Sequence, residues 1–294
     1  MAIDLNDSAF LERLIEVEKK RSNNGGKWLL VPAIALAVAF LMPFYYLFVT
    51  VFKSNEEYAR KGVLELPDSL APIIDNAVEA WTSSHVGTAM FNSATYGVIG
   101  ATLAVAIAAI AAYGLTRLRA YGSNSWFLVI FAGTLFPFQM YLVPLLFTYQ
   151  RVGLVNSWLG MLLLYTAICI PFPLLVLRNA FGAINREIDS AARIDGASEW
   201  RVFLSMIVPN AWGSLVALFL LQFTFIWNDL LFSSVLANGT EVRSIMVALQ
   251  TLQGTYAATG PNVVATAALM ASLPTVLLFI ALRKYFMSAF QVSS

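Results

Sequence analysis

Few side chains in this sequence are suited to covalent or acid–base chemistry. His85 is the sole histidine and lies among small polar residues. Without a nearby cysteine cluster or an orienting partner it lacks what a metal site or a His-dependent triad requires, and it reads as a solvated loop residue. Cys169 is the only cysteine, so no internal disulfide can form, and packing is its expected role. The phosphate loop G-x-x-x-x-G-K-[ST] is absent, as are G-x-S-x-G, H-E-x-x-H and C-x-x-C. Catalysis is therefore not expected, and neither is a cofactor bound by this chain.

Two constellations remain. The first is a charged stretch, Glu187 to Glu199, with four acids and Arg193 set between long apolar segments. Asn185 or Asp189 can cap a short helix there, and Ala191, Ala192, Ile194 and Ala197 give it a small apolar face. Gly196 offers a bend, after which Trp200, Phe203, Leu204 and Ile207 mark a second helix leading to Pro209. Small residues let another surface approach closely, and Asp189, Arg193 and Asp195 offer charged contacts around them. This helix–bend–helix suits a protein docking surface better than a plain connector.

The second constellation is polar and lies inside apolar segments. Asp229 is the only acid within one of them. An ionisable group at membrane depth is costly and marks a function by default, although a site at the end of a span, near water, accounts for it equally well. Gln139 and Gln222 read first as interhelical hydrogen-bonding groups. Tyr141 and Trp227 can stack on a ligand ring, though aromatics at membrane depth more often pack or sit at the interface. Gln139, Tyr141, Trp227, Asn228 and Asp229 together form the candidate translocation pathway.

The elements that must position these residues follow from composition. The chain is 59% hydrophobic and 12% charged over 294 residues, against about 25% charge in an ordinary soluble domain. A net charge of +1 and the lack of a basic tract argue against nucleic acid as a partner. The lipid bilayer is the expected environment. A spanning helix needs about 20 mostly apolar residues. Stretches free of Asp, Glu, Lys and Arg predict six, with cores near 28–52, 91–113, 126–148, 157–177, 211–236 and 263–284. Their continuous rather than alternating hydrophobicity selects helices over a barrel. The fold class predicted is all-α integral membrane, with six transmembrane helices and a helix–bend–helix loop.

With the N-terminus inside, thirteen basic residues fall on the cytoplasmic side, against Lys53, Arg60, Lys61, Arg151 and Arg243 outside. The excess predicts that both termini are cytoplasmic. The first apolar run is too long for a cleaved signal and reads as an anchor. Residues 6–22 predict a short amphipathic helix with Phe10, Leu11, Leu14 and Ile15 on one face, ended by Asn23-Asn24-Gly25-Gly26. It would lie at the membrane surface or brace a neighbouring subunit. Within 53–90, Ile73–Trp81 predicts a surface helix. Pro137 and Pro144 predict a kink in the third span. The domain reading is a cytoplasmic segment, 1–27, and one transmembrane domain, 28–294, carrying the loop 179–210.

Ser190-Ala-Ala-Arg-Ile-Asp-Gly196, nine residues, then Met206-Ile-Val-Pro209 resembles the EAA loop of bacterial ABC-importer permeases. Asn92-Ser93, Ala112-Tyr-Gly-Leu-Thr-Arg-Leu118, Pro137 with Pro144, Arg193-Ile-Asp-Gly-Ala197, Phe225-x-Trp-Asn-Asp229 and Leu273-Pro274 extend the resemblance, in family order, to the maltose-type carbohydrate-uptake permeases. Ser190 departs from the family's Glu, with Asp189 adjacent, and the Gly-rich, Lys-containing C-terminal end is missing. The resemblance implies that Asp189, Ser190, Ala191, Ala192, Arg193, Asp195, Gly196 and Ala197 form an ATPase-coupling loop. It implies a second permease subunit in a heterodimer, two ATP-binding subunits that hold ATP and Mg, and an extracytoplasmic solute-binding protein. It implies a bacterial inner-membrane location and a sugar or sugar derivative as cargo. The alternative expectation is a secondary carrier or channel that uses Asp229 without an ATPase.

Overall fold

The structure, a computed structural model, describes residues 8–118, 120–133, 137–254 and 259–291. Every regular element among them is a helix, and they divide into two compact units at Ile73/Ile74.

The first unit holds α1 (Ser8–Val51) and α2 (Asn55–Arg60). The predicted stop at Asn23–Gly26 does not occur: α1 runs through it as one 44-residue helix. A glycine inside a helix costs about 1 kcal/mol, which an already nucleated helix with a long apolar continuation absorbs. The apolar face of residues 10–15 lies outside the described side chains. Beyond α1, Ser54 caps α2 by accepting the Glu57 amide (3.1 Å). Lys61 then bridges Glu57 (3.0 Å) and Asp68 (2.6 Å). Buried Lys53 donates to the Gly62 carbonyl at 2.9 Å.

The boundary falls in the first turn of α3 (Pro72–Thr82), the predicted surface helix, and the second unit is organised around α4 (Val86–Thr116). There follow α5 (Ser123–Ala132), α6 (Phe138–Val152), α7 (Trp158–Cys169) and α8 (Pro171–Ala183). The loop region is α9 (Arg186–Ile194), α10 (Glu199–Val202), a π turn (Phe203–Ile207) and α11 (Val208–Asn210). Last come α12 (Trp212–Trp227), α13 (Leu231–Leu236), α14 (Ile245–Leu252) and α15 (Pro261–Gln291).

One face of α4 is built from small residues: Gly97, Gly100, Ala101, Ala104, Ala108 and Ala112 are all buried. That face lets α7, α8 and α12 pack closely, as interfaces between membrane helices require. A methyl group on Gly97 would sit 2.7 Å from the Phe223 ring, so the approach there demands glycine. Two apolar clusters result along α4. One surrounds Tyr96, Tyr165, Trp227 and Phe232; the other surrounds Tyr113, Leu177, Phe181, Phe203 and Ile207.

Three helices are single spans by length and hydropathy: 30–51 within α1, α4, and 261–285 within α15. Two bent pairs also qualify, α7 with α8 (41°) and α10–α11 with α12 (77°), giving three to five candidate spans. Two predicted spans are corrected. The third is not continuous: α5 stops at Ala132 and α6 starts at Phe138. Pro137, with no N–H to donate and ψ of 131°, precedes that start, and Pro144 is accommodated inside α6. The fifth breaks after Trp227, and α13 resumes at Leu231. Asp229 stabilises this break by accepting the amides of Phe232 (3.2 Å) and Ser233 (3.0 Å).

Candidate functional site

The predicted loop forms as a helix, a glycine bend and a second helix. Asn185, rather than Asp189, caps α9, its Oδ1 accepting the Glu187 amide at 3.0 Å. At the other end the Gly196 amide donates to Arg193 O (3.0 Å) and the Ala197 amide to Ala192 O (2.9 Å). This is a Schellman ending, which needs a left-handed residue. Gly196 supplies it with φ of +80°. Ser198 then caps α10.

Two ion pairs brace the loop, one buried and one exposed. Asp189, expected as a docking contact, is buried, and its carboxylate lies 3.2 Å from Arg117 Nη1. Arg117 closes α4, and its Nη2 also donates to the carbonyls of Phe181 and Ile184, both at 2.6 Å. One guanidinium thus joins α4, the end of α8 and α9. Arg193 makes two hydrogen bonds to Glu199 (2.7 and 3.0 Å), and the Tyr113 hydroxyl donates to the same carboxylate at 2.7 Å. Arg117, Tyr113 and Glu199 lie within the motifs read from sequence, but the sequence assigns them no site role. The signal available was Tyr113 and Arg117 four residues apart at the end of an apolar run.

Alongside the exposed charges of Arg193, Asp195 and Glu199, the outward face carries small and apolar residues. Ser190, Ala191, Asp195 and Gly196 are exposed, and Ile194 is 86% exposed. Ala192 packs inside, so the two adjacent alanines divide between core and surface. A Cβ at Gly196 would meet nothing within 4 Å. An uncovered isoleucine beside small residues marks a contact surface.

The Arg193 hydrogen bonds, then that from Tyr113, hold the Glu199 carboxyl below its ordinary value of 4.5. A depressed carboxyl stabilises the fold above the unfolded value and loses that contribution as pH falls through the folded one. Hydrogen-exchange protection of residues 198–202 should therefore persist below pH 4.5 and then drop, and Glu199→Gln should abolish the pH dependence. A drop of equal size in Glu199→Gln would assign it to another group.

The five pathway residues do not converge. Asn228 and Asp229 line a cavity of about 900 Å³ with Phe138, Thr224 and Phe225. Tyr141 lines a second, of about 600 Å³, with Gln222 and the same two phenylalanines. Gln139 is exposed on α6. Trp227 is buried at 1% exposure and donates its indole N–H to Ala271 O at 3.1 Å, so its ring packs. Besides the two α13 amides, the Asp229 carboxylate accepts the Tyr165 hydroxyl at 2.8 Å.

Residues 104–290 match the family of the binding-protein-dependent transport system inner membrane component. The chain belongs to this family. The permease is thus a multi-pass inner-membrane protein. It is 31% identical over 214 residues to the osmoprotective compounds uptake permease protein GgtD of Synechocystis, covering 72% of each chain. It is 29% identical over 257 residues to the melibiose/raffinose/stachyose import permease protein MelC of Bacillus subtilis, covering 87% of this chain and 91% of that one. Its fold superposes with a TM-score of 0.76, at 22% identity, on a chain of a bacterial ABC transporter that imports the acidic polysaccharide alginate. That match covers 88% of the permease and 96% of the solved chain.

Proposed function

We propose that the permease forms half of a carbohydrate translocation pathway and is driven by separate ATPases. The carrying observation is the outward face of α9: Ala191, Ile194 and Gly196 lie open, while Asp189 is bound inward to Arg117 and the exposed Arg193 is held by Glu199. That arrangement fits a rigid knob offered to a cleft. In this reading the chain crosses the membrane six times, the broken third and fifth segments counting as one span each, with both termini cytoplasmic. Residues 1–27 are the cytoplasmic segment and 179–210 the coupling loop of the 28–294 domain. A second, related permease completes the pathway. Two ATP-binding subunits hold and hydrolyse MgATP, so this chain is not an enzyme, and an extracytoplasmic binding protein delivers the cargo. The names of MelC and of the alginate transporter support a sugar as cargo. Closure of the ATPases would move the loops and shift the population between inward- and outward-facing states.

A secondary carrier would use Asp229 for coupling, but helix capping and Tyr165 already occupy that carboxylate. In liposomes, the chain alone should take up none of the sugar bound by its cognate binding protein. The ATP-fuelled complex should transport it, and Asp229→Asn in that complex should retain uptake within about threefold. Uptake by the chain alone, abolished by Asp229→Asn, would establish the carrier.

A further inference from the structure

Each end of α4 grips a different loop. At its start Asn92, 1% exposed, donates through Nδ2 to the carbonyls of Glu241 (2.9 Å) and Arg243 (3.1 Å). Ser93 Oγ accepts the Ile245 amide at 2.8 Å, and the Tyr96 hydroxyl donates to Val242 O at 3.0 Å. Three side chains on neighbouring helical positions therefore fix the backbone of 241–245. At its end Tyr113 and Arg117, again four residues apart, hold Glu199 and Asp189 of the coupling loop. The two grips stand roughly 30 Å apart at about 1.5 Å rise per residue.

The helix between them is suited to carry displacement. Of the three single-helix spans, α1 contains Pro32 and Pro43 and α15 contains Pro274, whereas α4 is proline-free over 31 residues. Proline is a chief cause of sharp kinks, and the bent pairs are already broken. Buried alanines and glycines run the length of α4, and the two apolar clusters sit beside its two grips.

We propose that α4 is a strut joining the coupling loop to the 237–244 loop, with Asn92, Ser93 and Tyr96 as its positioning residues at the far end. This rests on the loop docking a separate ATPase. Movement imposed at Arg117 and Tyr113 is delivered to 237–244 through one stiff element, and the coupling is reciprocal.

The test uses the complete complex in vesicles, with Thr240→Cys, an exposed position in that loop, labelled by a membrane-impermeant maleimide. The native Cys169 is buried. Trapping with ATP and vanadate should change the labelling rate at least threefold. In Asn92→Ala/Ser93→Ala the change should vanish, while nucleotide is still trapped and the ATPases still co-purify. Tyr96→Phe removes one hydroxyl, should reduce the response by about half, and serves if the double variant does not assemble. A full response in either assembled variant overturns the strut. Absence of any response in an unsubstituted complex that traps nucleotide also overturns the strut, whereas absence of co-purifying ATPase overturns the docking reading instead.

Discussion

Arg117→Met should destabilise the permease by about 3–5 kcal/mol, the range for breaking one side of a buried ion pair. The guanidinium is 1% exposed and its partner carboxylate 4% exposed, so water cannot take over the lost contact. Asp189 would be left charged and unpaired, and the carbonyls of Phe181 and Ile184 would lose their shared donor. Thermal unfolding of the purified chain measures the cost. Arg117→Met/Asp189→Leu should recover a large part of it, since replacing both ions with apolar groups of similar size is often close to neutral. Recovery should stay incomplete because the two carbonyls remain unserved. Equal losses in the single and double variants would show that Asp189 is not the partner that matters. A loss under about 1 kcal/mol in Arg117→Met would place the pair in water.

The sequence carried some of this plainly and concealed the rest for physical reasons. The bend at Gly196 was legible because a left-handed helix ending selects glycine, and the Ala-Ala-x3-Gly spacing sets the length of α9 before it. The inward turn of Asp189 was not legible. Its partner lies on α4, and no periodicity links residues so distant along the chain. Ala191 and Ala192 looked alike because helical phase, which separates neighbours by about 100°, is fixed by what the helix packs against. The break at Asn228–Leu230 was hidden in an apolar run, with Asp229 its only mark; that residue suggested a pathway, and the structure shows that it caps α13 while also lining a cavity. The kink signals at Pro137 and Pro144 were read correctly as disturbance, yet only the structure separates the proline before a helix from the one inside it.

Ala191→Arg should uncouple the assembled transporter while leaving the permease itself intact. Ala191 is exposed on α9, arginine is a good helix former, and surface changes of this kind cost about 0.5 kcal/mol or less. The same side chain adds bulk and charge beside Ile194 and Gly196, on the exposed face proposed to meet the ATPase. A fully desolvated, closely packed contact at the centre of an interface typically carries about 2 kcal/mol or more. A fall of at least tenfold in affinity for the ATPase subunits follows from that magnitude. Substrate-stimulated ATP turnover and uptake should fall with it.

The central claim, that 186–197 is the seat of a separate ATPase, is tested most directly by co-purifying the ATPase subunits with Ala191→Arg and with the unsubstituted chain. The expected result is an unchanged yield and melting temperature of the permease, with ATPase recovery reduced at least tenfold. Undiminished ATPase recovery with a well-folded Ala191→Arg chain would contradict it.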